Sequence, residues 1–247
     1  MNAIRVLQDP PLDGPSNMAR DEALLCCVGR RESPSTLRLY RWDPPTISLG
    51  YFQRFADYES LSPPAGSLPV VRRLTGGGAI LHDLEVTYSL TLPIDHPLVV
   101  SDPKRLYERV HEAVASCLGL LGVGVTRCGS TDDSTPTRGP FFCFERRHEY
   151  DLLFGQDKIA GSAQRRTRQA ILQHGSIIYG NRFAQQGTAV LSLAQKGTET
   201  HLRTALCVHL ETTLAATLES GDWTTAELQA AEALRSRYAG DEWTKRK

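Results

Sequence analysis

The residues of this chain with chemistry to offer fall into three short segments, plus five further cysteines. The first segment is Val70 to Asp83, VVRRLTGGGAILHD. Three consecutive glycines between a strand and an apolar segment are costly to order, and make sense where backbone must approach a ligand and offer it N–H groups. Arg72 and Arg73 beside them could hold an anion such as a phosphate, and His82 and Asp83 follow. No Gly-Lys-Ser/Thr follows the run, so it is not a P-loop, and it is not a GxGxxG dinucleotide fingerprint. A surface hairpin turn flanked by solvated arginines is the plainer reading. The second segment is Gly155 to Ser176, GQDKIAGSAQRRTRQAILQHGS. Lys158 precedes the small residues Ala160, Gly161, Ser162 and Ala163, beside which another group can lie close to the backbone. Its ammonium could be aimed at a carbonyl or phosphate oxygen, against the ordinary fate of a solvated hairpin lysine. His174, taken alone, reads as a satisfied core histidine. The third segment is GPFFCFERRHEYD around Cys143. Arg146, Arg147 and His148 would lower a thiol pKa there if they are also close in space; a buried structural cysteine is the competing reading. Cys26, Cys27, Cys117 and Cys207 fall on helical patterns and read as packing. Cys128 opens a polar loop and stays open. None of the six forms a CxxC pair, so the set is neither a zinc pattern nor a disulfide framework.

The elements that must position these segments read as follows. The N-terminal MNAIRVLQDPPLDG suggests a short strand followed by a turn. A helix follows, capped by Ser16 or Asn17 and running through Met18, Leu24, Leu25 and Val28. Leu37 to Trp42, Thr46 to Leu49 and Pro69 to Arg73 read as strands. Val86, Tyr88, Leu90 and Leu92 alternate with Thr87, Ser89 and Thr91, which predicts a half-buried strand. Ser101 or Asp102, with Pro103, opens a helix carrying Leu106, Val110, Val114, Cys117, Leu118 and Leu121, ended by Gly122 and Gly124. Residues 123–126 suggest a short strand, and 128–140 a polar loop. Residues 150–164 form a predicted hairpin, 170–179 a further strand, and 203–218 a helix. Thr224 with Glu227 makes a capping box for the last helix. The sum is a single α/β (α+β) domain over residues 1–247, a mixed and largely antiparallel sheet flanked by helices.

Composition narrows the function. Lys+Arg and Asp+Glu both number 28, so there is no net charge, and 40% of residues are hydrophobic. Enough apolar surface is present for a core, which argues against disorder, and no surplus of positive charge is available to neutralise nucleic-acid phosphates. The apolar stretches fall well short of the roughly 20 residues of a spanning helix, and the N-terminus lacks the apolar core of a secretory signal. No membrane partner and a cytoplasmic location are therefore expected.

Taken in order, these motifs resemble the lipoate ligase and octanoyltransferase family, in the biotin/lipoate protein ligase catalytic fold. GPSNMARDEALL is similar to its opening helix, WDPPTISLGYFQ to the next strand pair, VVRRLTGGGAILHDLEVTYSL to the acyl-pocket segment, GQDKIAGSAQRR and ILQHGSII to the lysine-bearing hairpin, and RYAGDEW to the closing helix. The resemblance implies attachment of octanoyl or lipoyl to one lysine of a small lipoyl domain, in the glycine cleavage H protein or a dehydrogenase E2 subunit. CF followed by EYDLLFGQDKIAGSAQ resembles the octanoyltransferase segment that carries the nucleophile, which implies that Cys143 takes octanoyl from acyl carrier protein. Lys158 would hydrogen-bond the acyl carbonyl. Gly76, Gly77 and Gly78 would line the acyl tunnel, and Arg72 and Arg73 would meet the pantetheine phosphate. Thr75, Ala79, His82, Asp83, Gly161, Ser162, Ala163 and His174 would complete the substrate contacts, His82 orienting the site or assisting proton transfer. This reading needs neither metal nor cofactor. The chain ends soon after the closing helix, without room for the accessory domain of single-chain ligases. The alternative is an ATP- and Mg-dependent lipoate ligase, to which RRLTGGGA is at least as similar, with Arg72 and Arg73 on ATP. No GRGRRG-like loop points to a biotin ligase, and no DNA-binding module precedes the motifs.

Overall fold

The computed structural model describes residues 2–100, 102–129, 140–186 and 198–246. The polar stretch 130–139 and the alternative cap Ser101 lie outside them. In chain order the elements are β1 (Asn2–Gln8), α1 (Gly14–Gly29), β2 (Thr36–Tyr40), β3 (Thr46–Leu49), α2 (Phe55–Glu59), β4 (Val70–Arg72), β5 (Ile80–His82) and β6 (Glu85–Pro93). Then follow α3 (Pro97–Val100), α4 (Pro103–Leu120), β7 (Thr126–Arg127), β8 (Leu152–Phe154), β9 (Asp157–Arg166), β10 (Ala170–Ile178), α5 (Thr198–Leu214), β11 (Ala216–Ser220), α6 (Thr225–Ala239) and α7 (Asp241–Thr244).

The main sheet has eight strands in the order β11-β1-β2-β6-β10-β9-β8-β7. β1 runs parallel to both β11 and β2. Its other neighbouring pairs are antiparallel, so the architecture is the mixed, largely antiparallel α/β one. A second sheet, β4-β3-β5, carries the triple-glycine segment between β4 and β5. Helices α4 and α5 pack on each other and cover one face of the main sheet; α1, backed by α6, covers the other. Leu106, Val110, Val114 and Leu118 of α4 are fully buried against Val86, Leu90 and Leu92 of β6 in one apolar cluster. Each such side chain contributes about 1.5–3 kcal/mol.

Four local expectations are corrected. The cap of α1 is Asp13, whose Oδ1 accepts from Ser16 N at 2.8 Å, rather than Ser16 or Asn17; Pro15 takes the first turn, and the Asn17 amide instead donates to Leu12 O and Arg41 O. Strand β6 is buried on both faces: its polar row turns to the α1 side, where Ser89 donates to Asp21 and Thr87 accepts from Trp42 Nε1. The helix expected at 203–218 stops at Leu214; Ala215 turns the chain at φ 49° and residues 216–220 become β11, which pairs with β1 and forms the sheet's edge on that side. The short strand expected at 123–126 lies at Thr126–Arg127. Asp102 does cap α4, accepting from Lys104 N at 2.8 Å. Among the described residues no helix is long and apolar enough to cross a membrane.

Candidate active site

Cys143 is placed by backbone. Ala79 N donates to Phe141 O at 2.9 Å and Cys143 N donates to Ala79 O at 2.7 Å, so the strand leaving the glycine run and the cysteine segment bridge each other. Phe142 and Phe144, both buried, anchor the cysteine on either side. The approach is close enough to require glycine at 78: a Cβ there would lie 2.9 Å from both the N and the Cα of Cys143. Gly77 takes φ +92°, a conformation that side chains disfavour.

Lys158 comes from β9, where the β8–β9 register shifts at Leu152/Leu153. Its Nζ stands 3.5 Å from Cys143 Sγ, 3.4 Å from Cys143 O and 2.8 Å from Asp151 Oδ2. The lysine is only 3% exposed. Burial pushes its pKa down, but the facing Cys143 and the Asp151 carboxylate outweigh that and hold the ammonium above its ordinary value. Asp151 Oδ2 is fixed in turn by His148 N at 2.8 Å.

The two residues open onto one pocket. Met18, Tyr40, Trp42, Ile80 and Phe144 supply apolar wall; Gly77, Gly161, Ala163 and Gly175 add lining with little or no side chain. His82 lies flat on Trp42, ring centroids 3.8 Å apart, and bridges Ser48 Oγ and Glu85 Oε1 at 2.8 and 2.6 Å. Burial outweighs Glu85 and lowers its pKa, leaving a neutral imidazole at pH 7. Arg73, His174 and Ser162 reach the same pocket. Arg73 Nη2 donates to Gly76 O and Gly78 O, each at 2.7 Å, and Nη1 to Ser48 O, so its guanidinium braces the glycine loop; burial brings its pKa down to about 10. His174 links Thr75 Oγ1 at 2.7 Å to Asp21 Oδ2 at 3.1 Å.

Several expected residues stand elsewhere. Arg72 is fully buried and gives its guanidinium to the carbonyls of Thr244, Gly50, Tyr51 and Gln53; it ties the chain's last helix to the β3 loop and presents no donor to the pocket. Asp83 pairs with Arg182 at the surface. Thr75, Gly76, Gly78 and Ala79 do not line the pocket: Thr75 bonds His174, Gly78 lies against the Cys143 backbone, Ala79 bridges Phe142, and Gly76 lies toward the exposed ring of Phe52. Of the cations close to Cys143 in sequence, Arg146 Nε donates to Pro140 O and Arg147 to the carbonyls of Phe144 and Gln156. The cation on the sulfur is Lys158. Burial raises the thiols of Cys117 and Cys207 to about 12 and about 11, and those of Cys26 and Cys27 also rise, as expected of packing residues. Asp151 is the functional-site residue that sequence reading missed; the one signal was its place in the same EYDLLFGQDK run as the lysine. Among the described residues no three His, Cys, Asp or Glu side chains group as metal ligands.

Comparison with known proteins gives a consistent result. The family model for the lipoyl protein ligase A/B catalytic domain matches residues 13–224. The chain is 34% identical to the octanoyltransferase LipM of Kyrpidia tusciae, over 94% of each chain. It is 41% identical to the octanoyltransferase LipM of Moorella thermoacetica, over 70% of this chain and 64% of that one. Among solved structures, lipoate-protein ligase A bound with ATP superposes with a TM-score of 0.77 at 24% identity, covering 99% of both chains. A bi-partite lipoate protein ligase from Thermoplasma acidophilum gives a TM-score of 0.68 at 22% identity, over 99% of this chain and 96% of that one. At these identities the two structures speak for the fold.

Proposed function

The chain belongs to the lipoyl protein ligase A/B catalytic domain family, and within it we propose a protein octanoyltransferase that works through a Cys143 thioester and serves protein lipoylation. The Cys143 thiolate attacks the carbonyl of an octanoyl thioester presented on the pantetheine arm of acyl carrier protein. The bond to the arm's sulfur breaks and octanoyl is held on Sγ. Lys158 donates from Nζ to the oxyanion of the tetrahedral intermediate, in a site with little water to compete. The acyl chain lies along Met18, Tyr40, Trp42 and Ile80. A neutral lysine amine of a lipoyl domain, in a glycine cleavage H protein or a dehydrogenase E2 subunit, then attacks the thioester. The C–N bond forms, the C–S bond breaks, and the amine's proton passes to sulfur. Exchange of one thioester for another is nearly neutral, and aminolysis to an amide is downhill, so covalent catalysis by sulfur needs no ATP. One catalytic unit over residues 1–247 suffices for both steps.

The observation that carries this reading is the 3.5 Å contact of Lys158 Nζ with Cys143 Sγ inside the pocket. ATP-dependent activation would want cations for phosphates, yet Arg72 and Arg73 hold backbone carbonyls instead. The test is intact mass of the enzyme mixed with octanoyl-loaded carrier protein in the absence of ATP. One octanoyl increment, removed by hydroxylamine and absent from Cys143→Ala, is expected. Acceptor labelling that comes only from free acid and ATP, with Cys143→Ala fully active, overturns the reading.

A further inference from the structure

Lys158 is itself a primary amine, 3.5 Å from Cys143 Sγ and 3.4 Å from Cys143 O. On the transferase reading, the second step is attack of a lysine amine on the Cys143 thioester. The amine held against that thioester is the enzyme's own, and an amide formed there would end turnover.

From the buried 2.8 Å ion pair between Asp151 and Lys158, we infer that Asp151 bars Lys158 from acting as acyl acceptor, so that octanoyl waits on Cys143 for the lipoyl-domain lysine; the inference rests on the transferase reading. The pair is built into the fold. Asp151 Oδ2 also accepts from His148 N at 2.8 Å, and Asp151 N donates to His148 O at 2.9 Å. Gly161 makes the room: a Cβ there would fall 2.5 Å from Lys158 Cε, 2.8 Å from its Nζ and 2.9 Å from Asp151 Oδ1. The lysine stem thus lies on bare backbone with its head on the carboxylate.

The charges around Nζ change during the reaction. Facing it are Cys143, Asp151 and the ring of Phe144 at 5.4 Å. His111 stands by, its pKa brought to about 4 by burial and therefore neutral, and Arg73 interacts electrostatically with Cys143 from the glycine loop, with Arg146 opposing Arg73 in turn. In the free enzyme, burial opposes the ammonium while Cys143 and Asp151 support it. Acylation turns the sulfur into an uncharged thioester. Asp151 is then the remaining anion among these groups until the acceptor arrives. Without it, burial favours the neutral amine. Nζ then attacks the octanoyl carbonyl, a C–N bond forms, the C–S bond breaks, and the amine's proton goes to sulfur. The products are octanoyl-Lys158 and a free Cys143 thiol. Asp151 touches no substrate in this scheme and is a positioning residue.

The test loads full-length wild type and Asp151→Asn with octanoyl carrier protein, without acceptor, and reads intact mass before and after hydroxylamine, with peptide mapping. Wild type should hold one hydroxylamine-labile octanoyl. Asp151→Asn should convert it to a resistant increment on Lys158, losing turnover in step, and adding Lys158→Arg should abolish that increment. Asp151→Glu should restore the labile form. The conversion should also appear in wild type at alkaline pH, and at lower pH in Asp151→Asn. If Asp151→Asn does not fold, the alkaline wild-type arm decides: an amide on Lys158 supports the inference and its absence overturns it. A label that stays hydroxylamine-labile in folded Asp151→Asn at every pH, or an amide on another lysine, overturns this inference alone. No octanoyl on wild-type Cys143 overturns the transferase reading and this inference with it.

Discussion

At the scale of single residues, the site turns on which cation meets which oxygen or sulfur. Lys158 is the donor within reach of a thioester on Cys143, so its removal should act on the chemical step rather than on binding. Lys158→Met keeps much of the stem's volume and removes the ammonium. We expect a fall of about 10²–10³ in the single-turnover rate of Cys143 acylation, the usual loss for one oxyanion donor, with donor KM little changed. A rate within a few-fold of wild type would show that Lys158 is not that donor. Cys143 and Lys158 were legible through the resemblance of CF and EYDLLFGQDKIAGSAQ to the octanoyltransferase segment; by residue alone they read equally as a packed cysteine and a solvated lysine. Asp151 was not: a carboxylate at a loop end looks solvated until β8 and β9 fold it onto the lysine at 2.8 Å. The two arginines misled for a geometric reason. Neighbouring residues of a strand point to opposite faces, so Arg72 and Arg73 cannot both serve one ligand, and a tight glycine turn creates carbonyls that need donors. Arg73 answers Gly76 and Gly78, while Arg72 answers Gly50, Gln53 and Thr244.

At the scale of elements, β9 and β10 bring Gly161, Ala163 and Gly175 beside Lys158, Ser162 and His174 in the pocket lining. Gly161 on β9 tests this arrangement. In Gly161→Ala the new methyl would collide with Lys158 Cε at 2.5 Å and displace the ammonium by about an ångström. A misplacement of that size costs on the order of 10²-fold in rate. Transfer activity should drop by about that factor while circular dichroism and the unfolding midpoint stay near wild type, because the strand itself tolerates alanine. Unchanged activity would mean that Lys158 has room the structure denies it. The elements themselves were largely legible. The hydrophobic period of α4 and the capping box of α6 announce themselves. What periodicity misjudged depends on layers. The alternation of β6 suggested one wet face, but α1 covers that face, where Thr87 meets Trp42 and Ser89 meets Asp21 instead of water. Strand β11, ATLES, has no apolar run of its own. It exists because β1 offers it a row of backbone partners on its free side, a fact no local window contains.

At the scale of the molecule, the pocket is tied to the core by buried charge. Arg38, wholly buried, donates to Asp9 Oδ2 at 2.7 Å, to Asp21 Oδ1 at 2.8 Å and to Asn17 Oδ1 at 2.7 Å. Asp21 also accepts from Tyr40 and Ser89 and holds His174, which holds Thr75 at the glycine run. One network therefore links β1, α1, β2, β6 and β10 to the wall of the site. Burial opposes the ionised form of both carboxylates, yet Arg38 with Arg20 and Trp223 at Asp9, and His174 with Arg38 and Ser89 at Asp21, outweigh it and lower both pKa values below 3.8. Groups depressed in this way contribute stability that is complete above their unfolded value and is lost as pH falls through the folded one. Unfolding free energy should thus be insensitive to these two groups near neutrality and decline steeply below about pH 4. Asp21→Ala leaves a buried guanidinium with one carboxylate fewer, a change of about 3–5 kcal/mol, or on the order of 10 °C in Tm. It should also flatten the acid limb, since one of the two titrating groups is gone, and lower transfer activity in the fraction that remains folded, because His174 and Thr75 lose their anchor. Chemical denaturation of both proteins across the acid range, with transfer assayed at neutral pH, decides it. An Asp21→Ala variant with wild-type stability and an unchanged acid limb would show that the network is ornamental to the fold and that the glycine run stands without it.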